Sequence, residues 1–460
     1  MKQKFLGVLL LAIVVWGCSK KVAETRVFFG GQIIKPTSEN VTLYQGNNVL
    51  DTFRLDNNMR FQKRYEDLES GIFKLEHLPE FQSVLLEKGD SIWVRFNAAA
   101  FDESIVYSGP GASKNNFMME LLLDFEREND FLSSKFSLNK EAYSAVIDSL
   151  LNQKKIKWIL MDSLNRLSPI AQKVTQASYI YPYANKKERY ALLRGAQWTA
   201  AEDSLYFDYR KYLNFSDNDL AFFDPYINYI LNYISQKALK KGEAYFLQKQ
   251  STDFNFRRLE VLNDEISGNL LRSNLARAIA FEEILNFENH ANHDRFLQYF
   301  ATINSSPQYL AEVLDLHSDI SGMERNKPLP EIELENSKRE KISSNTLLGQ
   351  GPTVIYFWSQ TQMSHYKGTL DRMKILQAQH PKLRFVGICI QPFTEVVAQV
   401  QKMMNVDADN QFAIVDFEKA SKLWVLTLLN KCIVLDRNGK IIEGFGNFSD
   451  KNLDLLLNQF

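Results

Sequence analysis

Residues 352–368 constrain the fold of this chain more than any other stretch. An apolar run from Val354 to Trp358 is followed by a short polar turn and then by the first residues of an amphipathic helix. A buried strand that passes directly into a helix is typical of a sheet with parallel strands, and ligand or redox chemistry usually lies at the carboxyl end of such a strand. The sequence therefore predicts a functional site in the turn after Trp358.

The C-terminal third continues this alternation of strands and helices. The predicted strands cover residues 331–334, 353–358, 383–390, 412–416, 431–435 and 440–446, and the predicted helices cover residues 365–379, 393–404, 418–426 and 451–459. Alternating elements favour an α/β domain with a mostly parallel sheet. The turn sequence at residues 436–439, Asp-Arg-Asn-Gly, predicts an antiparallel hairpin between the last two strands.

Three local motifs connect this region to a known family. Lys-Pro-Leu-Pro at residues 327–330 precedes the first strand, Phe357-Trp358 ends the second, and Asp-Arg-Asn-Gly-Lys at residues 436–440 turns the last hairpin. On these residues the chain resembles the TlpA/ResA-like thioredoxin-fold lipoproteins, which are related to the AhpC/TSA proteins. The resemblance implies a thioredoxin-like domain over residues 322–460.

The redox residues that this resemblance implies are absent. The family pattern Phe-Trp-Ala-x-Trp-Cys-x-x-Cys, set on Phe357-Trp358, places its two cysteines at Gln362 and His365, and the family's cis-proline falls on Asn430. Disulfide exchange needs one thiolate to attack and a second thiol to resolve the mixed disulfide. A cis bond before a non-proline residue costs about 3 kcal/mol, so a trans bond is expected before Asn430. The sequence predicts a pseudoenzyme.

A groove around the lost redox centre is the predicted binding site. Its candidate residues are Trp358, Met363, Ser364, His365 and Asn430, and an extended protein or peptide partner is the expected ligand. His365 falls in the first turn of a helix, whose positive end disfavours a protonated imidazole. Ser364 and His365 are adjacent and point about 100° apart, so they cannot form a nucleophile–base pair. We expect binding or scaffolding, without catalysis.

Cys389 and Cys432 leave a redox alternative open. Their predicted strands flank residues 353–358, which separates the two sulfurs by roughly 10 Å. A disulfide requires Cα atoms within about 7 Å, so two buried free thiols are expected. The alternative is a thiol-disulfide oxidoreductase or peroxidase of the cell envelope that uses Cys432 or Cys389. It requires at least one exposed thiol with a lowered pKa.

Residues 1–18 have the pattern of a lipoprotein signal peptide. Lys2 and Lys4 precede an apolar run over residues 5–16, and Gly17-Cys18 follow. The run is too short to cross a bilayer but suits the core of a secretory signal. The segment resembles a bacterial lipobox, which implies a lipid on Cys18 and a location in the cell envelope, anchored to the outer or inner membrane and facing the periplasm or the surface. The alternative is a signal with an incidental cysteine.

Two further regions precede the thioredoxin-like domain. Residues 25–110 are predicted to form an antiparallel β-sandwich, because short segments with alternating polarity are separated by turn residues; the segments are 26–34, 41–44, 49–55, 59–65, 71–75, 83–86 and 91–97. This region resembles the all-β domain of unknown function that precedes the thioredoxin domain in many such lipoproteins. Residues 111–321 have helical periodicity, and residues 322–330 are a predicted linker.

The helical region is rich in tyrosine and carries long apolar stripes. One stripe runs from Ile147 through Ile156 to Ile159 and Leu160. The tyrosines are interpreted as half-buried core whose hydroxyls reach the surface, with a partner or glycan surface as the alternative. Their positions are 179, 181, 183, 206, 209, 212, 226, 229 and 233. A partner-binding lipoprotein associated with nutrient uptake is the third functional hypothesis.

Charge and motif content exclude several classes of function. The formal net charge is −1, which provides no basic surface for nucleic acid. The sequence has no phosphate-binding loop, no nucleophile elbow and no metal-binding cysteine pair. His290 and His293, beside Glu288 and Asp294, are interpreted as surface residues and not as a metal pair. No cofactor and no metal are predicted.

Overall fold

The structure is a computed structural model that describes residues 25–195, 198, 200–249, 251–285, 293–360, 362–394, 401 and 406–460. The predicted signal peptide, Cys18 and His290 lie outside the described residues, as does most of the predicted helix at 393–404. Among the described residues, no helix combines the length and the apolar character needed to cross a bilayer.

The N-terminal region is a pair of four-stranded sheets. All seven predicted strands are confirmed, and an eighth short strand follows them; they are β1 Val27–Ile34, β2 Asn40–Gln45, β3 Asn48–Arg54, β4 Arg60–Tyr65, β5 Gly71–His77, β6 Glu80–Leu86, β7 Ser91–Asn97 and β8 Val106–Ser108. The strand orders are β4-β1-β7-β8 and β3-β2-β5-β6. Alternate residues of both sheets, such as Phe29, Leu43 and Phe73, share one buried core.

One strand pair of this region corrects the antiparallel prediction. Strands β1 and β7 run parallel, with Phe28 opposite Ser91 and Ile34 opposite Asn97. The chain between them builds the whole second sheet and strand β4 of the first, and then returns in the original direction. A parallel pair needs such a long crossover, whereas alternation of polar and apolar residues is the same in both arrangements. The sequence pattern therefore could not show the direction of this pair.

The middle region is helical, and its first helix is tied to the sandwich. A one-turn helix, α1 Phe101–Ser104, precedes it, and the helices that follow are α2 Ala112–Ser134, α3 Lys140–Asn165, α4 Pro169–Arg194, α5 Ala200–Tyr206, α6 Asp224–Ala238, α7 Tyr245–Gln248, α8 Thr252–Glu265, α9 Asn269–Ile284, α10 His293–Ile303 and α11 Pro307–Gly322. In the first turn of α2, the buried ammonium of Lys114 donates to Glu87 and Asp90 at 2.6 Å each. The Asn115 side chain both accepts from and donates to the backbone of Leu85.

The tyrosines of the middle region are confirmed as core, but their hydroxyls do not mainly reach solvent. Tyr181 donates to the Asn214 carbonyl at 3.2 Å, and Tyr233 donates to Glu265 at 2.9 Å. Tyr212 is the exposed exception, with 77% of its surface accessible. A buried phenol usually needs a hydrogen-bond partner, and neighbouring helices and loops supply it for these two tyrosines, whereas the buried Tyr229 hydroxyl has no partner in the described part of the chain.

Two other predictions for the helical region are wrong. Ile147 is buried, but Ile156, Ile159 and Leu160 of the same predicted core stripe are half or more exposed, because only one side of α3 faces α4. His293 is buried and not on the surface: its Nε2 atom lies 3.5 Å from Glu283 Oε1, and its ring packs on His317. The polar residues around His293 in the sequence do not reveal that it begins the buried face of α10.

The C-terminal region is a seven-stranded mixed sheet with helices on both faces. Its elements are β9 Glu333–Glu335, β10 Lys341–Ser343, β11 Thr353–Trp358, α12 Met363–Gln379, β12 Arg384–Cys389, β13 Gln411–Ile414, α13 Phe417–Leu423, β14 Lys431–Leu435, β15 Ile441–Asn447 and α14 Lys451–Leu457. The strand order is β10-β9-β13-β12-β11-β14-β15. Only β11–β12 and β12–β13 are parallel, so the prediction of a mostly parallel sheet is wrong. The predicted hairpin β14–β15 is confirmed.

The order of the four strands at one side of this sheet defines a thioredoxin-like fold. The parallel pair β11 and β12 is joined by α12, and the antiparallel hairpin β14–β15 is added beside β11. The face of β11 that carries Tyr356 and Trp358 packs towards α12 and α14. The opposite face, with Ile355 and Phe357, shares a continuous core with helices of the middle region.

The predicted linker at residues 322–330 is part of this packed structure. The Asn326 amide donates to the Ile441 carbonyl at 2.7 Å, and the Ile441 amide donates to the Lys327 carbonyl at 2.9 Å. Leu329 is buried. The segment therefore extends the sheet beside β15, and its proline and charged residues gave no sign of that pairing.

Candidate functional site

Strand β11 runs through the centre of the sheet and ends at the predicted site. All six of its side chains are buried, because β12 and β14 flank it and helices cover both faces. Trp358 ends the strand with no exposed surface and stacks on Tyr366 of α12, with ring centroids 3.9 Å apart. Trp358 is therefore a packing residue beneath the site, and the prediction that it contacts a ligand is not supported.

The two positions that would carry redox cysteines hold no sulfur and have different surroundings. Gln362 is exposed at the N-terminus of α12, and its amide donates to the Ser359 carbonyl at 3.3 Å. His365 is half-buried, and its Nε2 atom lies 2.5 Å from Asn430 Oδ1. With that oxygen facing the ring, Nε2 carries the proton and donates. The side chains of Met363 and Ser364 lie outside the described residues.

Asn430 occupies the place of the missing cis-proline, immediately before β14. Its carbonyl accepts from the Phe448 amide at 2.7 Å, and its side chain reaches His365. The bond before Asn430 is trans, as predicted, since the cis peptide among the described residues is Leu78–Pro79. His365 and Asn430, two of the predicted site residues, are thus joined directly by a hydrogen bond. The neighbouring Leu428 is 71% exposed.

A polar network fixes the loop after β11 and was not predicted from the sequence. Gln391 donates from Nε2 to Ser359 Oγ at 2.8 Å, and its Oε1 accepts from the Gln360 amide at 3.2 Å. The Gln360 side chain in turn donates to the Pro392 carbonyl at 2.7 Å. These bonds connect the loops after two adjacent parallel strands. A glutamine after each strand was the only sequence signal available.

The two thiols of the C-terminal region are buried and free. Cys389 pairs in register with Trp358 and Cys432 pairs with Tyr356, so they lie on opposite sides of β11, in the predicted relation. Burial raises the pKa of Cys389 to about 12. Burial also raises the pKa of Cys432, and the charge of Glu443 raises it further while Lys431 opposes it. Neither thiol meets the requirement of the redox alternative for exposure and a lowered pKa.

Lys431 is the unusual ionisable group near the site. Its side chain is buried, and its Nζ atom donates to the Val425 carbonyl at 3.2 Å and lies 4.1 Å from the centre of the Phe445 ring. Burial lowers its pKa from 10.5 to about 7, against the opposing charges of Cys432 and Glu443. A neutral amine is a possible nucleophile, but this one has 6% of its surface exposed.

No protein-family model matches this sequence, and no curated protein matches it. Solved structures do match. The thioredoxin domain of a thiol-disulfide oxidoreductase from Bacteroides vulgatus is 17% identical, with 29% of this chain and 99% of that chain covered and a TM-score of 0.24. A thiol:disulfide interchange protein from Bacteroides sp. is 16% identical, with 29% and 91% covered and a TM-score of 0.24. The exposed lipoprotein thioredoxin of Streptococcus pneumoniae is 14% identical, with 28% and 100% covered and a TM-score of 0.22. The thioredoxin-like fold follows from the strand order and does not depend on these similarities.

Proposed function

We propose that this protein is a lipid-anchored component of the cell envelope whose thioredoxin-like domain binds or scaffolds a protein or peptide partner and performs no thiol chemistry. The hydrogen bond between His365 and Asn430 supports this proposal most strongly. It joins the positions where the family has its second cysteine and its cis-proline. An imidazole engaged with a neutral amide can donate or accept hydrogen bonds, but it cannot form a mixed disulfide.

The burial of the remaining thiols supports the same proposal. Disulfide exchange proceeds through a thiolate that can reach the substrate sulfur. Cys389 and Cys432 have no exposed surface, and the pKa of each is raised by burial. Both sulfurs point into the core that contains Tyr356 and Trp358. Using either thiol would require opening the central strands of the sheet.

The surface around the site suits an extended partner. Gln362, His365 and Asn430 provide amide and imidazole groups, and the exposed Leu428 provides an apolar contact beside them. Side-chain groups of this kind fix the orientation of a peptide, while the apolar contact contributes affinity. The domain would thus retain the substrate-facing surface of the fold without its reactive centre.

Disulfide reduction with purified protein tests this proposal. The wild type, Cys389→Ala and Cys432→Ala are compared for insulin reduction with dithiothreitol as the electron source, and the double variant Gln362→Cys/His365→Cys serves as a matched control that restores a dithiol at the site. We expect turnover at the uncatalysed rate for the wild type and both alanine variants. Turnover that the wild type shows and either alanine variant loses would identify a relocated redox centre and refute the proposal.

The lipid anchor is tested separately. Cys18 is the proposed attachment site, so Cys18→Ser should abolish the incorporation of labelled fatty acid and release the protein into the soluble fraction. Retention of the label in this variant would contradict the anchor without bearing on the absence of thiol chemistry.

A further inference from the structure

A cavity of about 330 Å³ lies between the N-terminal sandwich and helices of the middle region, and none of its lining residues belongs to the thioredoxin-like domain. Strand β6 and the one-turn helix α1 contribute to one side, and α2, α4 and α6 contribute the other walls. Its apolar lining includes Phe81, Met118, Leu121, Phe125 and Phe223. This volume is at the lower end of the range for small-molecule sites, which are typically apolar with a few placed polar groups.

Three carboxylates line this cavity, and Gln82 donates to one of them, Asp102, at 3.3 Å. Asp102, Glu126 and Asp224 line it, and none of the three forms an ion pair with a lysine or arginine in the described part of the chain. Burial raises the pKa of Glu126, and the charges of Asp102 and Glu103 raise it further. Burial likewise raises the pKa of Asp102, against the hydrogen bond from Gln82, and the pKa of Asp224, against the charge of Lys74. Like charges placed together on the half-buried Asp102 and the exposed Glu126 destabilise the empty protein, and solvent weakens this repulsion.

A second feature of the wall is independent of these charges. Pro182 lies inside α4, which continues through it, and lines the cavity together with Ser178, one turn earlier. Because proline has no amide hydrogen, the Ser178 carbonyl lacks the donor that an α-helix would normally supply at residue 182. Pro182 thus leaves an additional hydrogen-bond acceptor, the Ser178 carbonyl, in a helix that lines the cavity.

Two of the rings at this site already lie beneath cations. The Lys74 ammonium is 5.1 Å from the centre of the Phe81 ring, and the Lys186 ammonium is 5.1 Å from the centre of the Phe125 ring. Lys186 donates to Asn129, and neither lysine forms an ion pair with a lining carboxylate. Each of these rings is therefore already in contact with a positive charge of the protein itself.

We propose that this cavity binds a small organic ammonium ion that carries an apolar or aromatic body. The body fills the space between Met118, Leu121 and Phe223, and the ammonium donates to the lining carboxylates and to the Ser178 carbonyl. An anionic ligand would meet three carboxylates, and an uncharged ligand would leave the repulsion between Asp102 and Glu126 unrelieved. The proposal concerns a site separate from the thioredoxin-like domain and does not depend on the function proposed for that domain.

Calorimetric titration of the full-length protein with matched probes tests this site. The probes are phenethylammonium, 2-phenylethanol and 3-phenylpropionate at pH 7, and we expect only phenethylammonium to bind, with a dissociation constant below about 1 mM. Asp102→Asn/Glu126→Gln should weaken binding at least tenfold. Pro182→Ala, which lets an amide occupy the Ser178 carbonyl, should weaken it severalfold. Glu418→Gln, an exposed carboxylate on α13, is the matched control and should change nothing.

Thermal unfolding separates loss of binding from loss of folding. Because the repelled carboxylates destabilise the empty protein, Asp102→Asn/Glu126→Gln should melt at the wild-type temperature or above it. A further titration uses phenylalaninamide, whose ammonium resembles the N-terminus of a peptide, and so distinguishes a free amine from a peptide as the ligand. Binding of either ammonium probe that depends on the carboxylates supports the proposal. Three results would overturn the proposal. They are an affinity for 2-phenylethanol equal to that for phenethylammonium, an unchanged affinity in the folded double variant, and no binding of any ammonium probe at 5 mM, which is roughly five times the expected upper limit of the dissociation constant.

Discussion

Replacing Lys431 by methionine is expected to stabilise the protein and to remove a rise of its stability with pH. The Lys431 side chain is 6% exposed, and in the described structure its ammonium has one carbonyl acceptor and an aromatic ring but no ion pair. Its pKa falls from 10.5 in the unfolded chain to about 7 in the folded protein, chiefly because of burial. The folded protein therefore releases a proton that the unfolded chain retains between these two pH values.

The sign and size of the effect follow from this difference in pKa. Where the unfolded state binds more protons, the free energy of unfolding rises with pH, by at most about 1.4 kcal/mol per pH unit for one group. Below pH 7 both states are protonated and the penalty is constant; over the 3.5-unit difference between 10.5 and 7 it amounts to about 5 kcal/mol. Between pH 7 and 8.5 the wild type should gain at most about 2 kcal/mol. Above that range Cys389 and Cys432, whose folded pKa values are raised, act in the opposite direction.

Urea unfolding monitored by tryptophan fluorescence at pH 6.5, 7, 7.5, 8 and 8.5 measures this difference. Lys431→Met should be more stable than the wild type at pH 6.5 and should lose most of the pH dependence. Lys440→Met, at an exposed position of the adjacent turn, is the matched control and should follow the wild-type curve. Parallel pH curves for the wild type and Lys431→Met would refute the account of this buried amine.

The remaining predictions concern packing and polar contacts. Trp358→Ala removes a fully buried ring stacked on Tyr366 and should cost about 3–5 kcal/mol of stability in denaturant unfolding, whereas a loss below about 1 kcal/mol would contradict its packing role. Lys114→Met leaves Glu87 and Asp90 without their buried lysine partner and should cost about 3–5 kcal/mol of stability, and an unchanged stability would show that the two carboxylates are solvated. His365→Ala removes one partly exposed hydrogen bond to Asn430 and should change the free energy of unfolding by no more than about 1.5 kcal/mol, with the matched Asn430→Ala variant giving a similar value.

Local elements of this fold were predictable from the sequence, and their pairing was not. The strands of the sandwich were visible because alternating polarity reports one buried face. The same alternation contains no information on strand direction, so the β1–β7 pair was assigned incorrectly. In the C-terminal region the alternation of strands and helices led to a prediction of more parallel pairs than the mixed sheet contains. Exposure of Ile156 and burial of His293 both depend on which face of a helix meets a neighbour. Tertiary contacts between distant segments decide those outcomes.

The candidate site was predictable in its chemistry but not in its contacts. The absence of sulfur at Gln362 and His365 is a property of the sequence, and the expected trans bond before Asn430 follows from proline chemistry. The direct contact between His365 and Asn430 spans 65 residues of chain and required the fold. The carboxylate-lined cavity is assembled from five separate elements, and only the proline inside α4, Pro182, could have indicated it beforehand.

Native-state thiol labelling tests the central claim, that this thioredoxin-like domain has no working thiol, most directly. The protein is treated with iodoacetamide at pH 8, with and without denaturant, and modification of each cysteine is followed by mass spectrometry; Gln362→Cys provides an exposed reporter thiol in the same fold. Cys389 and Cys432 should remain unmodified until the protein unfolds, while the cysteine at position 362 reacts at once. Modification of Cys389 or Cys432 in the folded protein at the rate of the reporter would contradict the claim and restore the redox alternative.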